Sequence, residues 1–278
     1  MIRTIKREQL VSTLRQALIA ACAAPPEEVV TALERARCNE EGVAAEVLRQ
    51  LAENHRLGQK TGRPCCQDTG MALIFADIGR DVHMDFDFYD AVNAAVRAAY
   101  GEGYLRKSVR DPITGCNTGD NTPAIVHIRL TAGDRVALHV MPKGFGAENQ
   151  SRTAMLVPAD GLEGIEAFVL ETLRGGAASA CPPVIVGVGI GGDLESCALL
   201  AKRQLLRPLG TPSADPVLAG MEARLLAQIN ALGVGPGGLG GHTTALAVHV
   251  AASPTHIGAL PVAVNLQCHA ARRMEVFI

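Results

Sequence analysis

Tryptophan is missing from the sequence, and the other aromatics are sparse, with three Tyr and six Phe. A protein that stacks bases on aromatic platforms needs more of them. The net charge of −2 provides no basic footprint, so no nucleic-acid partner is expected. No stretch reaches the ~18 apolar residues of a spanning helix, so no membrane partner is expected. Charged residues are also scarce, at 19% against ~25% in ordinary domains. That shortage points to surface covered by a partner rather than by water. The apolar fraction of 48% excludes disorder as the dominant state.

No export signal is expected either. Ile19-Ala20-Ala21-Cys22 has the look of a lipoprotein cleavage box, but Arg15 and Gln16 leave only Ala17 to Ala21 unbroken before Cys22. A signal peptide needs ~7–15 apolar residues. Leu10, Leu14 and Leu18 instead mark one face of an amphipathic helix. The expected location is cytoplasmic, where thiols stay reduced.

What the chain has is length, glycine and cysteine. Its 278 residues allow one large domain or two small ones around a full core. The first sixty residues read as helices: one over Leu10–Cys22, one opened by Pro26 with Glu27 and Glu28 in its first turn, and one capped by Asn39 and running to about Leu57. Met71–Ile78 reads as a strand, and Asp87 as the cap of a helix carrying Val92 and Val96. Ala124–Leu130 and Arg135–Met141 flank Thr131-Ala132-Gly133-Asp134 and read as a hairpin. Pro142–Arg152 reads as a loop. Further on, helices are expected over 162–173, 194–206 and 216–232, and strands over 184–188, 245–251 and 261–266. No internal repeat is visible. The pattern predicts an α/β (or α+β) fold with short mixed sheets flanked by helices. It is expected to form a single catalytic domain over 1–278, with a helical N-terminal lobe over about 1–60 and no separate linker.

Two glycine-rich stretches raise the alternative of a nucleotide-dependent oxidoreductase. Gly187–Gly192 fits G-x-G-x-x-G after a strand and before a helix. A dinucleotide unit wants an acidic residue ending a second strand ~20 residues on, and Leu206–Pro212 is a turn there. Gly233–Thr244 fails as a P-loop, because His242 stands where Lys is needed and Pro236 where Gly is needed. Its glycines read as backbone that approaches something closely.

Of eight Cys, three have distinctive settings. Cys66 opens Cys66-Gln67-Asp68-Thr69-Gly70 before a strand, Cys181 opens Cys181-Pro182-Pro183, and Cys268 ends a strand ahead of His269-Ala270-Ala271-Arg272-Arg273. Cys22, Cys38 and Cys197 fall in helical patterns as small core residues, and burial is the plain alternative for any single Cys. There is no C-x-x-C, which excludes zinc ribbons and ferredoxin runs.

These motifs, with Lys143-Gly144-Phe145-Gly146-Ala147-Glu148-Asn149 and Pro254-Thr255-His256-Ile257, resemble the iron–sulfur class I fumarate hydratases and the wider family that includes L-tartrate dehydratase. The resemblance runs from about residue 10 to 278 and fits the α subunit, or N-terminal half. It implies a [4Fe–4S] cluster held by Cys66, Cys181 and Cys268, with one iron lacking a protein ligand. It implies Asp68 and His256 as catalytic groups, and Gln67, Arg106 and Gly146 as substrate contacts. Phe145 stands where the family usually has glycine. Read without the resemblance, Asp68 suits a turn or cap, Arg106 a solvated loop cation, and His256 a core histidine between strands. The implied activity is reversible hydration of fumarate to L-malate, with L-tartrate or mesaconate as alternative dicarboxylates. The implied partner is a β subunit in a hetero-oligomer, without which the chain is expected to be inactive. A non-catalytic iron–sulfur scaffold is the remaining class.

Overall fold

The structure, a computed structural model, describes residues 2–278. In chain order its elements are β1 (Arg3–Thr4), α1 (Arg7–Ala23), α2 (Glu27–Arg37), α3 (Gly42–Thr61), β2 (Met71–Gly79), β3 (Val82–His83) and α4 (Phe88–Glu102). Then come β4 (Ile125–Thr131), β5 (Val136–Lys143), the single turn α5 (Phe145–Glu148), β6 (Arg152–Leu156), α6 (Gly161–Gly176) and β7 (Val184–Gly192). The chain ends with α7 (Leu194–Gln204), α8 (Pro216–Asn230), β8 (Ala245–Thr255), β9 (Leu260–Gln267) and β10 (Met274–Phe277). Mixed sheets with helices make this an α/β fold. No helix is long and apolar enough to cross a membrane, among the described residues.

The chain divides into two compact units, each built from separated segments. The first takes residues 2–26, 54–144 and 272–278, and the second takes 27–53 and 145–271. Of the first sixty residues, 2–26 and 54–60 fall in the first unit and 27–53 in the second.

In the first unit the sheet order is β10-β5-β2-β4. β2 runs parallel to β4 and antiparallel to β5. This corrects the expected hairpin: β4 and β5 follow each other in sequence but do not pair. The physical reason is burial. β2 is buried almost throughout, so it takes the centre and separates its two successors. Ala72, Ile74 and Ala76 of β2 pack with Leu138 and Val140 of β5 against Leu10, Leu14 and Leu18 of α1 and Val92 and Val96 of α4. The Asp87 carboxylate caps α4 by accepting the Asp90 N–H at 2.9 Å.

The second unit has the same spatial pairing with the chain order permuted: the outer strand beside the antiparallel neighbour comes last in the first unit (β10) and first in the second (β6). Its order is β6-β9-β7-β8, with β7 central, parallel to β8 and antiparallel to β9. The segment expected to be a loop over Pro142–Arg152 holds the end of β5 and the turn α5, and the edge strand β6 opens at its last residue. One sheet face, with Val186, Val188, Val264 and Leu266, packs on Ile165 and Val169 of α6 and Met221 and Leu225 of α8. The other face carries α7 through Cys197 and Ala201 against Ala263.

Candidate functional site

Each unit presents its cysteine motifs at one end of its own sheet, where the central strand begins and its antiparallel neighbour ends; His256, which follows β8, lies at the opposite end of the second sheet, where β7 finishes. In the first unit, Cys66-Gln67-Asp68-Thr69-Gly70 leads into β2, and β5 finishes at Lys143. A Cβ on Gly70 would run into the Lys143 carbonyl, and the φ of +76° demands glycine independently. A Cβ on Gly144 would stand 3.0 Å from Arg272 Nη2 and 3.2 Å from Asp68 Oδ2. Gly144 is thus the cradle in which the Asp68 carboxylate and the Arg272 guanidinium come together.

The Asp68 loop is fixed from all sides. Its Oδ1 accepts the Gly70 N–H at 3.0 Å, and its carbonyl accepts Arg272 Nη1–H at 2.5 Å. Arg272 is 1% exposed, the largest of the fully buried side chains. The Tyr100 hydroxyl donates to the carbonyls of Gly70 at 2.8 Å and Thr69 at 3.2 Å. The Thr69 hydroxyl accepts the Arg106 N–H at 3.0 Å and donates to the Arg106 carbonyl at 3.4 Å. Cys66 is half-buried, and Gln67 and Arg106 are exposed. The first unit therefore gathers four of the expected site residues: Cys66, Gln67, Asp68 and Arg106.

Burial sets the titration of the groups beneath this loop. It pushes the Cys22 thiol up to about 12, against the opposing pull of the Arg272 guanidinium. Burial likewise raises the Tyr100 phenol well above its usual value. Tyr100 is therefore an O–H donor at neutral pH.

The other four expected residues lie in the second unit. Cys181 sits at φ +56° ahead of β7, and its carbonyl accepts the His269 N–H at 3.3 Å. This places Cys181 beside Cys268, where β9 has just ended. Gly146 is exposed in α5 and has only ordinary contact distance to Ser179. His256 lies in the turn between β8 and β9. It is exposed, which removes the core-histidine alternative. Its Nδ1 accepts the Gly258 N–H at 3.1 Å, so the neutral ring carries its proton on Nε2.

The donor chemistry of the three cysteines fits an iron–sulfur cluster. None of the three is in a disulfide and all three are at least partly exposed, whereas Cys22, Cys65 and Cys197 are buried. Cys38, expected in a helix core, is exposed just beyond the end of α2. Beside Cys268 the Gln267 side chain is 2% exposed, and neither end of its amide has a hydrogen-bond partner. Buried amides without partners are rare, and N–H donors to cluster sulfur are a recognised lever on cluster potential. No group of three His, Cys, Asp or Glu is gathered as a single metal ion requires, among the described residues.

Both glycine-rich stretches have structural work. Gly187 and Gly189 lie inside β7, not in a turn, and β7 continues to Gly192. A Cβ on Gly187 would strike the Ala201 carbonyl, and one on Gly189 the Cys197 carbonyl. The glycines let α7 lie directly on the strand. The N-terminus of α7 is already capped by the Asp193 carboxylate, which accepts the Ser196 N–H at 2.9 Å and would repel a phosphate there. The oxidoreductase alternative loses its motif. In the second stretch the backbone approaches Glu40, whose Oε1 accepts the His242 N–H at 2.8 Å and the Thr243 N–H at 2.5 Å. Burial works to raise the Glu40 pKa, but these hydrogen bonds outweigh it and lower it.

Sequence reasoning missed Thr69, Tyr100, Asn121 and Arg272 as site-building residues. Asn121 had a readable signal, since Gly119-Asp120-Asn121-Thr122-Pro123 is turn chemistry in which Asn tolerates a left-handed conformation. The burial of Arg272, next to the equally basic Arg273, had none.

The chain belongs to the fumarate hydratase (fumerase) family, a family of hydro-lyases, which it matches over residues 11–277. It is 38% identical over 256 residues to the putative L(+)-tartrate dehydratase subunit alpha of Methanocaldococcus jannaschii, covering 89% of this chain and 90% of that protein. It is 32% identical over 258 residues to the L(+)-tartrate dehydratase subunit alpha of Escherichia coli K12, covering 91% of this chain and 85% of that protein.

Proposed function

We propose that the chain is the α subunit of an iron–sulfur hydro-lyase that interconverts fumarate and L-malate in the cytoplasm, and that it acts only with a β subunit. The observation that carries this reading is the Asp68 loop. The loop carrying Asp68 beside Cys66 is held at its backbone carbonyl by a buried arginine and tied through Thr69 to the Arg106 backbone, in a chain matching the family over residues 11–277. Cys66, Cys181 and Cys268 are the residues that would hold a [4Fe–4S] cluster. When bound, the cluster supplies a Lewis acid for the substrate oxygen at the iron without a protein ligand.

The chain's own residues supply the rest. Arg106, on an exposed loop, offers a fork of N–H donors to one substrate carboxylate. Asp68 Oδ2, beside Gly144, is the atom that accepts or returns the proton exchanged between water and the carbon skeleton. His256 keeps only Nε2 for donation, because Nδ1 is occupied by Gly258, but it stands at the end of the second sheet away from Cys181 and Cys268 and is assigned no step. Gly146 and Gln67 line the approach, the first by leaving space.

L-tartrate is the second reading, favoured by the names of both relatives. The test is anaerobic reconstitution with the β subunit, measuring kcat/KM for fumarate, L-tartrate and mesaconate. Fumarate is expected to lead, and a lead for L-tartrate transfers the assignment. A single methyl changes discrimination by only ~1–3 kcal/mol, so mesaconate turnover is expected to be detectable. Iron and sulfide per chain are expected to vanish in each of C66S, C181S and C268S. Iron retained with all three replaced would end the cluster reading.

A further inference from the structure

Asn121 lies outside the resemblance motifs, yet it is wholly buried at φ +64° in the first unit. A side chain there is strained unless its surroundings hold it. Its side-chain hydrogen bonds go to the two loops that carry the proposed chemistry. Its Oδ1 accepts the N–H of Ser108 at 2.7 Å and of Val109 at 3.2 Å, just beyond Arg106. Its Nδ2 donates to the Gly70 carbonyl at 3.1 Å, two residues beyond Asp68. One planar amide thus bridges the Arg106 loop and the Asp68 loop. Thr69 makes a second tie between the same loops, through its hydroxyl and the Arg106 backbone. Tyr100 supports the Asp68 loop alone.

We propose that Asn121 is the positioning residue that sets the spacing between the carboxylate-binding Arg106 and the acid–base Asp68. The inference rests on the hydro-lyase reading of those two residues. A dicarboxylate held at one end and deprotonated near the other reacts only when that spacing is right, and a misplacement of ~1 Å costs about 100-fold. Outer partners of this kind are worth ~10–100-fold.

The test uses the complete αβ enzyme with N121D, N121A and Y100F. N121D keeps the acceptor for Ser108 and Val109, but it can donate to Gly70 only when protonated. Its kcat is therefore expected to recover as pH falls, along a limb the wild type lacks. N121A is expected to lose ~10–100-fold in kcat/KM, with KM raised and kcat lowered, whereas Y100F lowers kcat with KM held. Amide hydrogen exchange supplies a readout independent of turnover. N121A should speed exchange in both 68–70 and 105–109, and Y100F only in 68–70.

An N121D loss that is identical at every pH overturns the proposal, as does N121A within twofold of wild type in both constants. If N121A does not fold, N121D decides alone. If the wild-type enzyme turns over no dicarboxylate, the functional reading fails, and the exchange pattern decides whether Asn121 bridges the loops.

Discussion

Arg272 Nη1 donates to the carbonyl of Asp68 across 204 residues of sequence, at 2.5 Å. The last segment of the first unit thereby holds the loop that opens its central strand. A buried guanidinium survives desolvation only where such acceptors meet it.

R272M removes that charged donor from a closed site. It is expected to destabilise the protein by about 2 kcal/mol, read as the shift in urea midpoint multiplied by m. R272K should restore little, because an ammonium lacks the planar fork. An unmoved midpoint in R272M would show that the contact carries no stability.

G187A places a Cβ against the Ala201 carbonyl, which is backbone and cannot step aside. The expected cost is ~1–3 kcal/mol from overpacking between β7 and α7, seen as a lower Tm. NAD should leave the Tm of the unsubstituted chain unmoved. A rise on adding NAD would return a nucleotide role to these glycines.

Alkaline pH should destabilise the first unit through Cys22. Its thiol is raised from 9.0 in the open chain to about 12 when folded. Between those values the folded state holds a proton that the unfolded state has released. The contribution is intact below pH 9 and is lost as pH rises towards 12, at no more than about 1.4 kcal/mol per pH unit. Tyr100 is raised too, and acts with the same sign. C22A is expected to flatten the fall in unfolding free energy over this window, and an unchanged slope would contradict the assignment.

Helices were the most legible part of the fold, because their signals are local. Leu10, Leu14 and Leu18 proclaim α1, and Asp87 caps α4 where its position suggested. Strand pairing was less legible. Nothing in the residues flanking Gly133 reveals that β2, ~50 residues earlier, separates β4 from β5, since that order is decided by which strand buries most. The shared spatial pairing of the two sheets, permuted in chain order, escaped the search for repeats for the same reason, because pairing order leaves no periodic trace. In the site, Asp68 and Arg106 were visible as motif residues. The atoms that hold them, on Thr69, Tyr100, Asn121 and Arg272, became visible only through their bonds.

β10 completes the first sheet by pairing with β5, and the Ile278 N–H bonds the Val136 carbonyl. Without residues 274–278, β5 carries an unsatisfied edge open to strands of neighbouring chains. A product clipped ahead of β10 should therefore be recognised by its stickiness before any loss of chemistry is measured.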